Sequence, residues 1–168
     1  MGNILIVDDE KDIRQLISDI LKDEGYSTKL AANSTECINE INLSPPDLLI
    51  LDIWLKDSHM DGIDILKVAQ RDNPEIPVVI ISGHGNIEIA VAAIKQGAYD
   101  FIEKPFNTDQ LLVVINRAME VSKLRRENSA LKIKDITRSE MVGKSTTFKN
   151  LKNNLDKVTK SNGRVLLT

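Results

Sequence analysis

Polar residues that could bind a metal ion and a phosphate follow four short aliphatic runs of the sequence. Asp8 and Asp9 follow NILIV, Asp52 follows DLLIL, Ser82 follows PVVII, and Lys104 comes shortly after YDFI. Oxygen ligands are the kind that Mg²⁺ prefers, and a lysine ammonium is a compact charge suited to phosphate. Each residue is ordinary by itself, so the chemistry depends on a fold that brings all five together.

The aliphatic runs have the length of β-strands, and segments with helical spacing separate them. Apolar residues from Ile13 to Leu21 predict the helix Asp12–Lys22, and a similar pattern predicts the helix Asn86–Gln96. This alternation predicts an α/β fold with a doubly wound parallel sheet covered on both faces. We expect the second strand, which is the weakest pattern, to lie at an edge. The predicted strands are Asn3–Val7, Tyr26–Ala31, Asp47–Leu51, Pro77–Ile81 and Tyr99–Ile102.

In an open parallel sheet, ligands bind beyond the carboxyl ends of the strands, which is where the five polar residues lie. Carboxylates crowded at one edge repel each other unless a cation neutralises them. All-oxygen ligands without a cluster of His or Cys favour Mg²⁺ over zinc, and Mg²⁺ commonly takes a phosphate oxygen as well. Asp52 is then a candidate nucleophile that forms an acyl phosphate, with Lys104 and Ser82 holding the phosphoryl oxygens.

Other interpretations stay open at this point. Asp9 or Glu10 could merely cap the helix that follows, and Ser82 with Gly83 is a common turn. An Mg²⁺-dependent phosphohydrolase also uses a strand-terminal aspartate, but it commonly needs an acid two residues later, where this chain has Trp54. A flavin- or nucleotide-binding electron carrier needs a Gly- or Ser/Thr-rich phosphate loop after the first strand, and the first run leads into acids instead.

The composition limits the partners and the compartment. The 168 residues carry a formal net charge of -3, which gives no electrostatic reason to bind nucleic acid or anionic lipid. No apolar stretch approaches the roughly 18 residues of a membrane span. The single cysteine, Cys37, excludes an intramolecular disulfide, so we expect a cytoplasmic protein. We assign Cys37 no role and expect it to be half-buried on a helix.

Residues Asn3 to Ala118 resemble the receiver domain of bacterial two-component response regulators. The similar segments are ILIVDDE, LLILDIW, MDGIDIL, PVVIISGHG and AVAAIKQGAYDFIEKPF, in this order and spacing. The resemblance implies a flavodoxin-like (βα)5 fold and a domain that takes a phosphoryl group from a sensor histidine kinase, with Mg²⁺ as cofactor. It also implies that the chain is not an enzyme, beyond catalysing its own phosphotransfer and dephosphorylation.

The resemblance assigns a role to each residue of the acidic pocket. It implies that Asp52 is the phosphoacceptor. Mg²⁺ would be bound by Asp9, by Asp52 and by the backbone carbonyl of Trp54, and Asp8 would complete the pocket through a water molecule. These roles are expectations of the family pattern, carried over to the matching positions of this sequence.

Further roles concern the phosphoryl group and the switch that senses it. By the same resemblance, Ser82 and Lys104 contact the phosphoryl group. Ser82 and Phe101 form the switch, in which the aromatic ring rotates. The resemblance also implies a cis peptide bond between Lys104 and Pro105, which aims the lysine into the site.

Two features depart from the usual receiver pattern. The loop DIWLKDSHMDG is two residues longer than usual and lacks its proline, and in this it is similar to the NtrX branch of the NtrC-type, sigma-54-dependent activators. Ser82 stands where threonine is commoner, so the hydroxyl is kept and a methyl group is lost. We expect the coupling of the switch to differ for that reason.

A long helical pattern starts at Leu111 and continues without glycine or proline through Lys134. Its heptad spacing, with an asparagine at one core position, predicts a helix that forms a homodimer. Arg117 interrupts the pattern, so an ordinary helix that ends near Glu120 is the alternative. The heptad positions are Val114, Val121 and Asn128 in one set and Leu124 and Leu131 in the other.

These patterns divide the chain into a receiver domain at 1–120, a linker helix at 121–138 and the start of an AAA+ domain at 139–168. The segment VGKSTTF is not a phosphate-binding loop, because such a loop needs a glycine where Arg138 stands. We expect the chain to be a fragment whose last residues are poorly ordered or packed on a neighbour. DNA and sigma-54 RNA polymerase would be bound only by domains missing from this chain.

Overall fold

The structure is a computed structural model, and it describes residues 2–56, 58–83 and 87–138, with side chains through Asn128. The chain divides into two compact units, Met1–Ser129 and Ala130–Thr168. The sheet and the candidate site lie in the first unit. The predicted AAA+ segment, 139–168, lies outside the described residues. No helix among the described residues is long and apolar enough to cross a membrane.

Five parallel strands form one sheet in the order β2-β1-β3-β4-β5, which confirms the predicted fold class. The second strand lies at an edge, as its mixed composition predicted. The strands are β1 (Asn3–Val7), β2 (Ser27–Ala31), β3 (Leu48–Asp52), β4 (Val78–Ser82) and β5 (Asp100–Glu103).

Five helices cover the two faces of the sheet. The last of them continues well past Glu120, so the prediction of a long C-terminal helix is confirmed and the shorter alternative is wrong. The helices are α1 (Lys11–Asp23), α2 (Ser34–Leu43), α3 (Gly62–Asp72), α4 (Ile87–Lys95) and α5 (Thr108–Arg138).

Two apolar cores hold the helices to the sheet. Successive residues of a strand point to opposite faces, so in β1 Leu5 and Val7 pack in one core while Ile4 and Ile6 pack in the other. The first core also holds residues of α2, α3 and α4, and the second holds residues of α1 and α5. Burial on both faces explains why the three central strands are continuously apolar.

Three strands end one residue later than the sequence predicted. Asp52 and Ser82 are therefore the last residues of β3 and β4, each paired in the ladder, with Asp52 opposite Ile81 and Ser82 opposite Glu103. The apolar pattern missed these ends because a polar residue can still pair through its backbone. The sheet therefore fixes the backbone positions from which both side chains project.

Two local expectations are corrected. Glu10 occupies the N-cap position of α1 but makes no side-chain capping hydrogen bond. Cys37, expected to be half-buried, is fully buried in the core under α2. Its burial raises the pKa of the thiol to about 12, because a thiolate there would lose its hydration.

Candidate functional site

The carboxyl ends of four strands bring the predicted site residues to one edge of the sheet. Asp8 directly follows β1, Asp52 ends β3, Ser82 ends β4 and Lys104 directly follows β5. Since β1, β3, β4 and β5 are neighbours in this order, residues far apart in sequence come together here.

Among the described residues, Asp8, Asp9 and Asp52 form an acidic cluster. Each offers a carboxylate oxygen, and these oxygens all lie within 4.8 Å of one another. Asp8 and Asp52 are buried, whereas Asp9 is partly exposed and lies toward solvent. Three oxygen ligands at this spacing, with no His or Cys among them, suit a hard divalent cation.

Lys104 lies inside the cluster. Its Nζ donates to Asp8 Oδ2 at 2.7 Å and to Asp52 Oδ2 at 2.6 Å. The backbone N–H of Lys104 donates to the carbonyl of Ser82 at 2.8 Å, and the peptide bond from Lys104 to Pro105 is cis, as the resemblance implied. The start of the segment after β5 is thus tied to the end of β4.

Burial shapes the protonation of this cluster. Burial is the largest influence on Asp8 and raises the pKa of its carboxyl group, although the hydrogen bond from Lys104 opposes the shift. For Lys104 burial disfavours the charge, but hydrogen bonds to Asp52 and Asp8 outweigh it and raise the pKa of the ammonium. The lysine therefore stays charged, and the charge of Asp8 is the costly one.

Backbone groups hold both buried carboxylates in place. The N–H of Glu10 donates to Asp8 Oδ1 at 2.8 Å, and the N–H of Trp54 donates to Asp52 Oδ1 at 3.1 Å. The guanidinium of Arg14 also donates to the carbonyl oxygen of Asp8. Asp8 and Asp52 each keep their second oxygen for Lys104.

The remaining predicted residues surround this cluster. Ser82 is fully buried, and the side chain of Trp54 is 53% exposed. Phe101 packs partly against the core that contains α4. It also lines a surface pocket of about 530 Å³ together with Ala90, Val91, Ile94, Lys95 and Asp100, so the aromatic ring lies beside a depression that is open to solvent.

Sequence reasoning overlooked several residues that position the site. A Cβ atom on Gly62 would lie 2.2 Å from the carbonyl oxygen of Asp52 and 2.7 Å from Cα of Ile53. Only a glycine lets α3 start so close behind Asp52, and its place in MDGIDIL was the available signal. The sequence singled out the longer loop that holds Lys56 and Ser58, but it did not predict their contacts or the contact of Arg14, because these depend on the tertiary fold.

Comparison with known proteins supports the same assignment. Residues 4–116 match the response regulator receiver domain family. The chain is 53% identical over 165 residues to a putative NtrX-like response regulator of Rickettsia bellii, covering 98% of this chain and 34% of that protein. It is 51% identical over 166 residues to the nitrogen assimilation regulatory protein NtrX of Azorhizobium caulinodans, covering 98% of this chain and 36% of that protein.

Solved structures give the same result. The receiver domain of NtrX from Brucella abortus is 54% identical with a TM-score of 0.68, over 70% of this chain and 98% of that one. A longer structure of NtrX from the same organism has a TM-score of 0.73 at 47% identity, over 97% of this chain and 36% of that one. This chain thus spans about a third of the length of the curated relatives it matches.

The fold and its acidic edge are those of a two-component receiver domain, and the chain belongs to the response regulator receiver family. Within that family, relatives that are about 50% identical to this chain are NtrX and NtrX-like regulators. The alternative of a phosphohydrolase is not supported, since the family match and the structural neighbours are receiver domains.

Proposed function

We propose that Asp52 accepts a phosphoryl group from a sensor histidine kinase. The observation that carries the proposal is the position of its carboxylate, at the end of a buried strand, beside Asp8 and Asp9 and hydrogen-bonded to Lys104. In the transfer, a carboxylate oxygen of Asp52 forms a bond to phosphorus, and the bond from phosphorus to the donor breaks. The donor's leaving atom keeps the electron pair.

The acidic cluster fits Mg²⁺, and Asp9, Asp52 and the backbone carbonyl of Trp54 are the proposed ligands, with Asp8 acting through water. A bound Mg²⁺ would supply positive charge that offsets the repulsion between the carboxylates and the incoming phosphoryl oxygens. Lys104 would exchange part of its hydrogen bonding from Asp52 to a phosphoryl oxygen. Ser82, fully buried at the end of β4, would bind a second oxygen through its hydroxyl.

The switch would run from Ser82 to Phe101 and then to the surface of α4. Ser82 and Phe101 lie on neighbouring strands, and Phe101 lines the surface pocket beside Val91 and Ile94. Both of these α4 side chains are substantially exposed. When Ser82 moves toward a phosphoryl group, Phe101 has room to turn into the pocket and repack this surface.

Helix α5 would carry the response to a dimer. Val114 is already half-buried against the receiver's own core, so it is only partly available for a partner helix. From Lys123 to Asn128 every side chain is exposed, and Leu124 is 54% exposed. The dimerising part of the helix would therefore begin after Ser122, within the linker helix that the sequence predicted at 121–138.

The names of the relatives support a wider role. One of them is a nitrogen assimilation regulatory protein, and another, 30% identical, is the DNA-binding transcriptional regulator NtrC of Proteus hauseri. We infer that the receiver controls sigma-54-dependent transcription through output domains that bind DNA and RNA polymerase.

The test is phosphorylation of Asp52→Asn by a small-molecule donor such as acetyl phosphate with Mg²⁺, followed by mass spectrometry. The wild-type chain should gain one phosphoryl group and the variant none, because an amide is not a nucleophile of this kind. Asp47→Asn, at the opposite end of β3, is the matched control and should react like the wild type. Phosphorylation of Asp52→Asn at the wild-type rate would overturn the assignment.

The same proteins test the dimer. Beryllofluoride with Mg²⁺ mimics a phosphoryl group on a carboxylate, so light scattering should detect a change of mass in the wild type and none in Asp52→Asn. An unchanged mass in both would remove dimerisation from the proposal and leave the phosphoacceptor intact.

A further inference from the structure

The segment between β3 and α3 places a second cation near the acidic cluster. Nζ of Lys56 lies 3.9 Å from Oδ2 of Asp9. The Lys56 side chain is 82% exposed and that of Asp9 only 14%, so the lysine approaches the cluster from the solvent side. Lys104, by contrast, contacts Asp8 and Asp52 from within. The two lysines therefore face different carboxylates.

Ser58 anchors the segment that carries Lys56. Its Oγ accepts a hydrogen bond from the backbone N–H of Ser34 at 3.0 Å and donates to the carbonyl of Met60 at 2.8 Å. Ser34 is the first residue of α2, and an N–H at a helix start has no partner within its own helix. Ser58 supplies that partner, and so ties the segment to α2 two positions away from Lys56.

We propose that Lys56 competes with a divalent cation for Asp9 and weakens its binding, and that Ser58 is a positioning residue that holds Lys56 there. The inference rests on the proposed Mg²⁺ site. A cation that binds Asp9 must displace the ammonium from Oδ2 or accept its repulsion, and either effect raises the dissociation constant for Mg²⁺. The segment between β3 and α3 would thus set how readily the site fills.

An exposed ion pair is weak, which fixes the size of the expected effect. Pairs of this kind change an equilibrium constant by about two- to fivefold, and salt screens them. Such a change contributes little to folding. It matters for a site whose occupancy varies with the Mg²⁺ concentration, because here one member of the pair is a proposed metal ligand.

The test is a Mg²⁺ titration of the unphosphorylated protein at low ionic strength. Trp54 is the single tryptophan of the chain and lies next to the site, so its fluorescence reports binding, and calorimetry checks the result. Lys56→Ala should lower the dissociation constant about two- to fivefold, and Lys56→Arg should leave it near the wild-type value. Lys67→Ala removes an equally charged side chain that pairs with Asp64, and should have no effect.

Ser58→Ala tests the positioning claim. It should lower the dissociation constant in the same direction, because the segment that carries Lys56 loses its tie to α2. The double variant Lys56→Ala/Ser58→Ala should bind Mg²⁺ like Lys56→Ala alone, since Ser58 is proposed to act only through Lys56. Additive effects in the double variant would overturn this half of the proposal.

Two results would overturn the role of Lys56. One is a dissociation constant of Lys56→Ala equal to that of the wild type at low salt. The other is a difference that persists unchanged at about 0.5 M salt, where an electrostatic effect between exposed groups is screened. Asp9→Asn separates this failure from failure of the metal site, because a site built on Asp9 must lose affinity in that variant.

Discussion

The two ends of the sheet both pair aspartates with a basic side chain, yet they differ in how the charges balance. At the amino end Asp47 meets Arg126, and at the carboxyl end Lys104 contacts Asp8 and Asp52, which cluster with Asp9. The first pair joins one carboxylate to one guanidinium. Among the described residues, the buried ammonium of Lys104 has two close carboxylate partners and a third, Glu10, at 4.0 Å, while Asp9 lies nearby without contacting it.

At the amino end, the carboxylate of Asp47 and the guanidinium of Arg126 both have hydrogen-bond partners. Asp47 Oδ2 accepts from the N–H of Asn3 at 2.6 Å, and Oδ1 accepts from Arg126. Arg126 also donates to the carbonyl of Pro46 at 3.1 Å. These contacts fasten α5 to the start of β1 and β3.

At the carboxyl end the excess of carboxylates is the feature on which the proposed function depends. Burial raises the pKa of Asp8 even though Lys104 contacts it, so the folded protein carries an electrostatic cost there. A bound cation would remove that cost, and an incoming phosphoryl group would find a charged donor already in place. We therefore assign a structural role to the pair of Asp47 with Arg126, and we place the proposed metal and phosphoryl site at the cluster around Lys104.

The largest expected effect is a difference in phosphorylation rate between variants of Lys104 and of Arg126. Lys104→Met should slow phosphorylation by acetyl phosphate about 100-fold, equivalent to about 2.7 kcal/mol, because it removes a charged donor beside the reacting oxygen. Arg126→Met should keep the wild-type rate and lower the free energy of unfolding by about 1 kcal/mol. Rates come from mass spectrometry and stabilities from urea unfolding. Equal slowing of phosphorylation in both variants would contradict the different roles assigned to Lys104 and Arg126.

A second prediction concerns how tightly the carboxyl end is built. Gly62→Ala should lower the free energy of unfolding by about 1–3 kcal/mol, because its Cβ would be forced against the backbone of Asp52 and Ile53. Gly83→Ala is the matched control, since its Cβ would meet Lys104 Cδ at an ordinary 3.9 Å, and it should change stability by less than about 0.5 kcal/mol. Similar urea midpoints for the two variants would show that the backbone behind Asp52 yields easily.

The smallest expected effect is the stability that Mg²⁺ adds. At a Mg²⁺ concentration ten times the dissociation constant, the gain is about 1.4 kcal/mol, measured as a shift of the thermal midpoint at neutral pH. The raised pKa of Asp8 gives the sign of the pH dependence. As pH falls, the carboxyl group of Asp8 takes up its proton at a higher pH in the folded state than in the unfolded state. The free energy of unfolding of the metal-free protein therefore decreases as pH rises through the range in which Asp8 loses this proton.

Protonation of Asp8, whose pKa burial raises, also competes with the cation, so the Mg²⁺ shift should be largest at neutral pH and decrease as pH falls into the acid range. Asp9→Asn should show no shift at any pH, and Asp47→Asn should show the wild-type shift. A shift of the same size at acid and neutral pH would mean that Mg²⁺ acts elsewhere on the chain.

The fold class, the edge position of β2 and the sheet edge that carries the acidic cluster could all be predicted from the sequence alone. These features follow from local patterns: apolar runs, helical spacing, and polar residues where the runs stop. The central strands had to be apolar throughout because both of their faces are covered, and Asp52 had to come where its strand leaves the core.

The contacts between individual side chains, in contrast, depend on the tertiary structure. The hydrogen bonds from Lys104 to Asp8 and Asp52 join residues separated by 96 and 52 positions, and no local pattern encodes such contacts. The sequence likewise did not predict the close approach of Gly62 to Asp52, the hydrogen bonds of Ser58 or the pairing of Arg126 with Asp47. The physical reason is that periodicity records whether a side chain is buried, whereas charge balance depends on which other side chains the fold places beside it.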